Sequence, residues 1–564
     1  MNFKKLSAAL LAVAMVGSLA ACGNKSQSDS SGTKSTAKYD ADQTLVQNLQ
    51  QEPATLDASK ATDQYGIMVL MDICEPLTRY EEQKDGSNKI TPAAAKSWES
   101  NDDGTVWTFH LRKNTWSDGK AVTAKDYEYS VKRIMDPNTA SQWGYMLSCL
   151  KNGEDVLAGK KPTSELGVKA TDDSTLVLTL EAPTPYFLSL TYTNFILPIR
   201  QDMVEKYGEK YGSDADKGLV SCGPFVLESW KHNSGIVLGK NNKYWDKKSV
   251  HLTKIDDKII TDQTAGYNMF DNGSFDLTGV GDIEWLKRFR AKKNVKYTEY
   301  TTPAVNFEFY NTKDKLFSNV NVRKAFALAI DRKDMAKTIF HDLFTPTYSW
   351  IPQGVSTGDL GDFRDQVKEQ PLETLQKENP DAKALLLKGM KELNLGDDPS
   401  KLKVTYSTGG TDQWSRNMCE FMQSMFKKNL GVTIDLDFNE WATFQNKINS
   451  GDYQMGGMAW SIDYNDPMAM LQIMQTGANT IPTGWSNPEF DKLVKQAGKE
   501  MDEKKRVDLY KQAEYIMLHD DCVLVPELLR SVHRCSYKYV MGKPNNYNAA
   551  NSVSDKYMYI APRG

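Results

Sequence analysis

Residues 94–112 read AAKSWESNDDGTVWTFHLR, and WSDGKAVTAKD follows at 116–126. Within the first stretch, TVWTFHL at 105–111 alternates apolar and polar side chains, which predicts a half-buried strand. In the second stretch, Thr123 and Asp126 have the spacing of a capping box, which predicts that a helix begins there. This part of the chain is therefore predicted to contain a half-buried strand followed by a capped helix.

The alternation of strand and helix patterns continues along the rest of the chain. It indicates a mixed α/β protein rather than an all-α or all-β one. Gly431 and Gly451 each follow a helical pattern at the position where glycine commonly ends a helix. Strands are predicted at 44–49, 174–180, 401–407, 432–438 and 453–460, and helices at 123–135, 414–430, 441–450, from 488 onward and at 507–518.

Composition limits the class of protein before any motif is considered. The chain has 564 residues, of which 40% are hydrophobic and 25% charged, and its formal net charge is −4. This length leaves room for about three domains or one large two-lobed one. The composition is typical of a folded chain with a sizeable core and not of disordered or collagen-like chains. A weakly acidic chain gives no reason to expect a nucleic-acid partner.

The amino terminus reads MNFKKLSAALLAVAMVGSLAAC and has the features of a targeting signal. Lys4 and Lys5 precede an apolar run that is too short to span a bilayer but suits a signal peptide. The run ends in LAACG, which is similar to the bacterial lipobox. Residues 1–21 are therefore predicted to be a lipoprotein signal peptide, and Cys22 the lipidated first residue of the mature chain. The alternative is an ordinary secretory signal in which Cys22 is incidental.

Residues 22–39 are rich in Ser and Thr and contain hardly any apolar residues, so they are predicted to be a flexible tether. Removal of the signal peptide takes away two lysines and no acid, which changes the net charge to −6. We expect the mature protein to be anchored by lipid at the outer face of the cytoplasmic membrane and to work outside the cytoplasm.

Cofactor and metal motifs are missing from the sequence. The six cysteines other than Cys22 form no CxxC pair, and we expect free buried thiols, with three disulfides of undetermined pairing as the alternative. The six histidines form no HExxH or HxH pattern, and there is no Walker A or GxGxxG motif. We therefore expect no metal and no cofactor.

One motif could indicate catalysis. Residues 354–358 read GVSTG and match the GxSxG pattern of serine hydrolases. That chemistry needs a strand, a sharp turn and a helix around the serine, whereas WIP precedes this segment and a Gly/Asp-rich stretch follows it. We interpret the segment as a loop and expect no enzymatic activity. A secreted hydrolase using Ser356 remains a distant alternative.

The stretch at 94–126 closely resembles the signature of the oligopeptide- and dipeptide-binding family (solute-binding protein family 5), the extracellular components of peptide ABC importers. The resemblance covers nearly the whole mature chain in order. Further matches are EPATLD at 52–57, GPF at 223–225, NKYWD at 242–246, NVRKAFALAIDR at 321–332 and AWSIDYNDP at 459–467.

The resemblance implies a two-lobed α/β fold of the periplasmic-binding-protein type II, which closes on its ligand about a hinge of two strand crossings. An extra domain is inserted in the first lobe. By this analogy, lobe I comprises 40–74, 200–302 and 531–564, the inserted domain 75–199, and lobe II 303–530. We expect the protein to be a monomer.

The resemblance also implies the binding residues. Asp463 matches the family aspartate that receives the α-ammonium group of a peptide, and a desolvated ammonium needs such an acceptor. The backbone of Ala459, Trp460 and Ser461 would pair with the peptide as an added strand, which is blind to side-chain identity.

Three tryptophans match aromatic residues of the family site. Trp441 and Trp460 match side-chain pocket aromatics, and Trp143 matches an aromatic of the inserted domain. For each of them, plain core packing is the alternative explanation.

The sequence departs from members that favour short peptides, which place Arg or His where they hold the peptide carboxylate. The matching positions here are Asp412, Ile448 and Gly457. We therefore hypothesise longer or length-tolerant peptides, delivered to a membrane permease driven by ATP hydrolysis. The alternative within the same fold is a receptor for a non-peptide solute or a signalling peptide.

Overall fold

The computed structural model describes residues 38–83, 87–478, 480–543 and 554–563. The predicted signal peptide, Cys22 and nearly all of the predicted tether lie outside the described residues. Of the helices in the described ranges, none has the length and apolar character needed to cross a bilayer.

The described residues form nineteen strands. They are β1 (Thr44–Asn48), β2 (Thr78–Glu82), β3 (Asn88–Pro92), β4 (Ala95–Ser100), β5 (Val106–Leu111), β6 (Val168–Asp172), β7 (Thr175–Thr179), β8 (Phe225–Lys231), β9 (Gly235–Lys240), β10 (Lys254–Lys258), β11 (Leu277–Gly279), β12 (Val295–Tyr310), β13 (Thr345–Pro346), β14 (Val404–Thr408), β15 (Ile434–Phe438), β16 (Met455–Ser461), β17 (Leu524–Tyr537), β18 (Val540–Met541) and β19 (Tyr559–Ile560).

The same ranges contain seventeen α-helices. They are α1 (Gln64–Ile73), α2 (Ala124–Met135), α3 (Gly153–Leu157), α4 (Phe187–Leu190), α5 (Gln201–Tyr207), α6 (Gln263–Asp271), α7 (Ile283–Arg290), α8 (Val320–Ala329), α9 (Arg332–Thr338), α10 (Phe363–Gln366), α11 (Pro371–Glu378), α12 (Ala382–Glu392), α13 (Gln413–Leu430), α14 (Trp441–Ser450), α15 (Met468–Leu471), α16 (Pro488–Ala497) and α17 (Glu503–Tyr515).

The mixed α/β class predicted from the sequence is confirmed, and the local signals act where expected. Thr123 and Asp126 form the predicted capping box at the start of α2. Gly431 and Gly451 end α13 and α14 with φ of 80° and 77°, a left-handed conformation that glycine adopts without steric cost. The predicted strand at 105–111 is β5, in which Phe109 is fully buried.

Two four-stranded sheets are built from different parts of the chain. The first has the order β1-β10-β9-β8, with β1 parallel to β10. The second has the order β4-β5-β7-β6, is antiparallel throughout, and packs against α2. All strands of the second sheet lie within 75–199, which we call the predicted insert. The boundaries of the domains themselves stay a prediction.

The largest sheet has the order β11-β17-β12-β16-β14-β15, and β13 also pairs with β17. The long strands β12 and β17 are antiparallel partners, β16 is antiparallel to β12, and β14 is parallel to both β15 and β16. This sheet carries the segments in which the sequence predicts the site.

The pairing of β12 with β17 is irregular near the predicted hinge. Thr301 pairs with Ser531, the register then shifts, and Val305 pairs with Leu529. Inside the gap, the Thr302 hydroxyl donates to the carbonyl of the facing strand at Arg530, at 3.0 Å. Both strands therefore depart from the regular ladder next to the predicted lobe boundaries of 302/303 and 530/531, and such departures let strands bend and twist locally.

The core is continuous through most of the described chain, and a second, smaller apolar cluster lies around α6, α7 and β11. The six described cysteines are all free thiols, five of them buried. This agrees with the expectation drawn from their number and spacing.

Candidate functional site

Strand order reverses between β14 and β16. The chain leaves β14 through α13 to reach β15 on one side, and then passes through α14 to β16 on the other side of β14. Right-handed crossovers in opposite directions place the two helices on opposite faces and leave a crevice at the carboxyl ends of the strands. Ligands of open α/β sheets bind at such a switch point. The crevice lies beyond Thr408 and Ser461, the last residues of β14 and β16.

Strand β16 extends farther into this crevice than its neighbour β14. The β14 ladder pairs with residues 455–457 and ends at Gly457, whereas the β12 ladder continues to Ser461. Among the described strands, only β12 pairs with residues 458–461. We call residues 458–461 the open edge of β16. Backbone groups on such an edge can bind an extended chain as an added strand. Ala459, Trp460 and Ser461, the residues predicted for this role, lie on the open edge.

Asp463 follows the open edge after one buried residue. Ile462 is buried, and its amide donates to the carbonyl of Pro303 at 3.1 Å, which fixes the exit of the chain from the sheet. Asp463 is partly buried, and loss of solvation raises the pKa of its carboxyl group to about 7. No ion pair to Asp463 is formed by a lysine, arginine or histidine of the described ranges. The site therefore has an acceptor that a bound cation would stabilise.

Tyr145 was not among the predicted site residues, but the structure brings its hydroxyl group to Asp463. Its hydroxyl donates to Asp463 Oδ2 at 3.3 Å, which partly opposes the rise in the pKa of the carboxyl group. Tyr145 lies in a short 3-10 helix, Gly144–Leu147, and is 38% exposed. It is the aromatic residue of the predicted insert that contacts the predicted ammonium acceptor. Its position two residues after Trp143, which was a candidate site residue, was the only signal in the sequence.

The loop after Asp463 is held on two sides. Tyr464 stacks on Tyr186 of the predicted insert, with ring centroids 5.1 Å apart. On the opposite side, buried Asp466 accepts from the Tyr510 hydroxyl at 2.7 Å and lies 3.8 Å from Arg506, both on α17. These contacts fix the backbone on which Asp463 sits.

The three candidate tryptophans occupy different environments. Trp143 is 8% exposed, and its indole N–H donates to the carbonyl of Ala61 at 2.7 Å, which is the arrangement of a core tryptophan. Trp441 is 54% exposed at the start of α14. Its spacing along the helix predicts that it lies on the same face as Phe444, which is buried. Trp460 is partly buried, and its Nε1 is shielded from solvent without a hydrogen-bond partner among the described residues. Trp441 and Trp460 can therefore still meet a ligand.

The positions that depart from the short-peptide members have structural roles here. Asp412 caps α13 by accepting from the amide of Ser415 at 2.8 Å. Ile448 is fully buried in the core. A β-carbon at Gly457 would lie 2.1 Å from the hydroxyl oxygen of Tyr406, so even alanine does not fit there without displacement. None of the three positions offers a cation to a peptide carboxylate.

The space beside Gly457 is filled by a buried hydrogen-bonded pair. The Tyr406 hydroxyl donates to Glu308 Oε1 at 2.7 Å. Burial raises the pKa of the Glu308 carboxyl group well above its usual value, and the neighbouring carboxyl group of Glu527 raises it further. The pKa of Glu527 is also raised by burial. Burial and the neighbouring carboxyl group therefore favour the neutral form of Glu308, in the core next to β16.

Ser356 forms an isolated antiparallel bridge with Asp362 and does not lie on a strand-to-helix elbow. Its hydroxyl accepts from the amide of Gly358 at 3.2 Å, and its own amide donates to Asn465 Oδ1 at 2.8 Å. The short 3-10 helix Gly358–Leu360 follows, as expected for a loop. Within the described ranges, no group of three His, Cys, Asp or Glu side chains is arranged to hold a metal ion.

The sequence and the fold match proteins of known class. The family model for bacterial extracellular solute-binding proteins, family 5 middle, matches residues 89–481, which is more than half of the chain. The oligopeptide-binding protein OppA of Bacillus subtilis is 34% identical over 512 residues, covering 89% of this chain and 90% of that protein. The dipeptide-binding protein DppE of the same organism is 32% identical over 531 residues, covering 94% and 95%.

A solved structure shows the same fold. Listeria monocytogenes OppA bound to peptide superposes with a TM-score of 0.77 at 31% identity, covering 93% of this chain and all of that one. The two-lobed α/β fold expected from the sequence is thus confirmed. The chain belongs to family 5 of the bacterial extracellular solute-binding proteins.

Proposed function

We propose that this protein is an extracellular receptor that captures oligopeptides and delivers them to the permease of an ABC importer. The observation that carries the proposal is the open edge of β16, which ends two residues before Asp463. An extended peptide on this edge would reach the carboxylate with its amino terminus. The similarity to peptide-binding relatives supports the same ligand class.

Recognition of the peptide backbone explains how one site accepts many sequences. Residues 458–461 offer amide and carbonyl groups on the side away from β12, and every peptide carries the complementary groups. Pairing of this kind adds affinity without reading side chains. Trp460 lies on the open edge and Trp441 is exposed at the start of α14, and both would contact ligand side chains less specifically than a charged pocket.

Recognition of the amino terminus fixes the register of the peptide. In our proposal, Asp463 accepts the α-ammonium group, with Tyr145 beside it on the predicted insert. An ammonium ion next to the carboxyl group returns its pKa toward the ordinary range and leaves a charge-assisted hydrogen bond in a poorly solvated place. Peptides without a free amino group would leave the carboxyl group without a cationic partner.

We further propose that the site tolerates peptides of different lengths. A fixed length requires a cation that holds the terminal carboxylate, and the candidate positions are occupied by a helix cap, a core side chain and a glycine. The peptide can then continue past its third or fourth residue without leaving an unpaired charge on the protein.

The lipid anchor at Cys22 and the location at the outer face of the cytoplasmic membrane are parts of the proposal. The lipobox-like sequence supports them. We also propose that the receptor is a monomer that alternates between open and closed forms. A peptide that contacts both lobes binds the closed form more tightly and shifts the population toward it.

A calorimetric series of peptides from two to ten residues tests this function on the purified mature chain. We expect binding of tri- to decapeptides of unrelated sequence, with affinity that rises up to about four residues and then levels off. Binding restricted to di- and tripeptides would contradict the length proposal. No binding by any peptide in the series would contradict the peptide-receptor function itself.

A further inference from the structure

Asn465 joins three parts of the molecule with one side chain and one carbonyl. Its Oδ1 accepts from the amide of Ser356 at 2.8 Å, and its Nδ2 donates to the hydroxyl oxygen of Tyr80 at 3.1 Å. Its backbone carbonyl accepts from the hydroxyl of Ser189 at 3.5 Å. Asn465 itself is 4% exposed. We call these four residues the Asn465 junction.

The oxygen and the nitrogen of the Asn465 side-chain amide bind residues of different segments. Tyr80 and Ser189 belong to the predicted insert, whereas Ser356 belongs to the GVSTG loop, which no catalytic role explains. A buried amide that loses one of these partners keeps an unsatisfied polar group, and this costs more than the net gain of an ordinary hydrogen bond. The hydrogen bonds of Asn465 therefore stabilise one another, and the loss of one weakens the association of the three segments.

The consecutive residues Asp463, Tyr464 and Asn465 all contact the predicted insert. Tyr145 donates to Asp463, Tyr186 stacks on Tyr464, and Tyr80 accepts from Asn465. Separation of the insert from this loop would break all three contacts at once. The carboxylate proposed to receive the ligand and the residues that dock the insert thus share one short backbone segment.

We propose that Asn465 is a positioning residue that makes peptide capture at Asp463 depend on docking of the predicted insert and the GVSTG loop on the segment 463–465. The inference rests on the proposed function for its link to peptides, whereas docking itself can be measured without a ligand. A weaker junction lowers the fraction of molecules in which Asp463 is correctly placed. The apparent affinity falls by the same factor.

The decisive variants are Tyr80→Phe and Asn465→Ala. Tyr80→Phe removes the hydroxyl that accepts from Asn465 and keeps the ring that stacks on Tyr192 at 5.1 Å. Tyr453→Phe is the matched control, because it also removes a phenolic hydrogen bond, to the carbonyl of Pro482 at 2.7 Å, but lies outside the junction.

Docking is measured first, on the unliganded protein, by hydrogen exchange of the peptide segment that contains residues 462–467. We expect exchange of this segment to be about three- to tenfold faster in Tyr80→Phe, the factor for one net hydrogen bond, and unchanged in Tyr453→Phe. Unchanged exchange in both Tyr80→Phe and Asn465→Ala would overturn the inference whether or not the protein binds peptides.

Peptide binding is measured next, by calorimetry and by dissociation rates, together with unfolding in denaturant. We expect Tyr80→Phe to weaken the binding of a tetrapeptide about three- to tenfold. Tyr453→Phe should lower stability and leave affinity unchanged. Equal affinity in Tyr80→Phe and the parent protein would overturn the link to capture, and an affinity loss in Tyr453→Phe of the same size would assign the effect to general stability.

Discussion

Tyr145 donates its phenolic hydroxyl to Asp463 Oδ2 across 3.3 Å, joining residues that are 318 positions apart in the chain. The contact links the predicted insert to the segment after the open edge of β16. A neutral hydroxyl and a peptide ammonium group compete for the same carboxyl oxygens. The ammonium brings a full charge to a poorly solvated carboxylate, so it forms the stronger bond.

Asp463→Ala should weaken the binding of peptides with a free amino terminus by about 2–5 kcal/mol, because it removes one partner of a desolvated charge pair. N-acetylated peptides should bind the variant and the parent protein almost equally. Calorimetry with both peptide forms checks this. Asp452→Asn, at an exposed position before β16, is the control and should change nothing. Unchanged affinity of Asp463→Ala for free peptides would remove Asp463 from the site.

Peptide affinity should rise with pH between about 6 and 7.5, below the ordinary pKa range of a peptide α-amino group. The pKa of Asp463 is raised to about 7, so the carboxyl group is partly protonated near neutral pH, and binding of an ammonium group requires the carboxylate. Binding therefore releases a proton, and lower pH weakens it. Calorimetry in two buffers of different ionisation enthalpy measures the released protons. Uptake of protons on binding at pH 7 would have the wrong sign for this account.

Tyr145→Phe should shift this pH dependence upward. The hydroxyl of Tyr145 lowers the pKa of Asp463, and its removal leaves only the effect of burial, which raises it. The midpoint of the acidic side of the affinity profile should therefore move to higher pH. A midpoint that moves to lower pH would contradict the assigned hydrogen bond.

The parts of this site that depend on residues close together in the sequence could be predicted, whereas those that depend on distant residues could not. The strands and helices from β14 to β16 follow from local periodicity and from Gly431 and Gly451, so their order was predicted correctly. The pairing of Tyr145 with Asp463 depends on tertiary packing and has no local pattern. The open edge depends on where the β14 ladder stops, at Gly457, and sequence patterns do not locate ladder ends.

Trp441 is a second residue whose environment the sequence pattern does not determine. Its spacing from Phe444 and Ile448 predicts the buried face of a helix, and both of those residues are fully buried. Trp441 itself is at the first position of α14 and is 54% exposed. Periodicity identifies a helix face, but it does not say where that face stops being covered.

Gly457→Ala should destabilise the fold by about 1–3 kcal/mol, because its β-carbon would lie 2.1 Å from the Tyr406 hydroxyl oxygen. In a Tyr406→Phe background the same substitution should cost less, since that oxygen is gone. Denaturant unfolding of the four proteins in this cycle gives the coupling energy. Gly279→Ala, where no atom lies within 4 Å of the new β-carbon, is the control. An additive cycle would contradict the assigned contact.

Trp143→Ala should mainly lower stability, whereas Trp441→Ala should mainly lower peptide affinity. Trp143 is buried, so its truncation should lower the free energy of unfolding by about 3–5 kcal/mol. Trp441 is largely exposed, so its truncation should change stability by about 0.5 kcal/mol or less and weaken peptides with apolar side chains by about 1 kcal/mol. Denaturant unfolding and calorimetry on both variants separate the two roles. A stability loss in Trp441→Ala as large as that in Trp143→Ala would place Trp441 in the core.

The most direct test of the central claim is mass spectrometry of the small molecules released on denaturation of the protein purified from its own host. The account predicts a mixture of peptides with free amino termini, unrelated sequences and several lengths above three residues. Release of one non-peptide solute in stoichiometric amount, or of peptides with a single length and sequence, would contradict it.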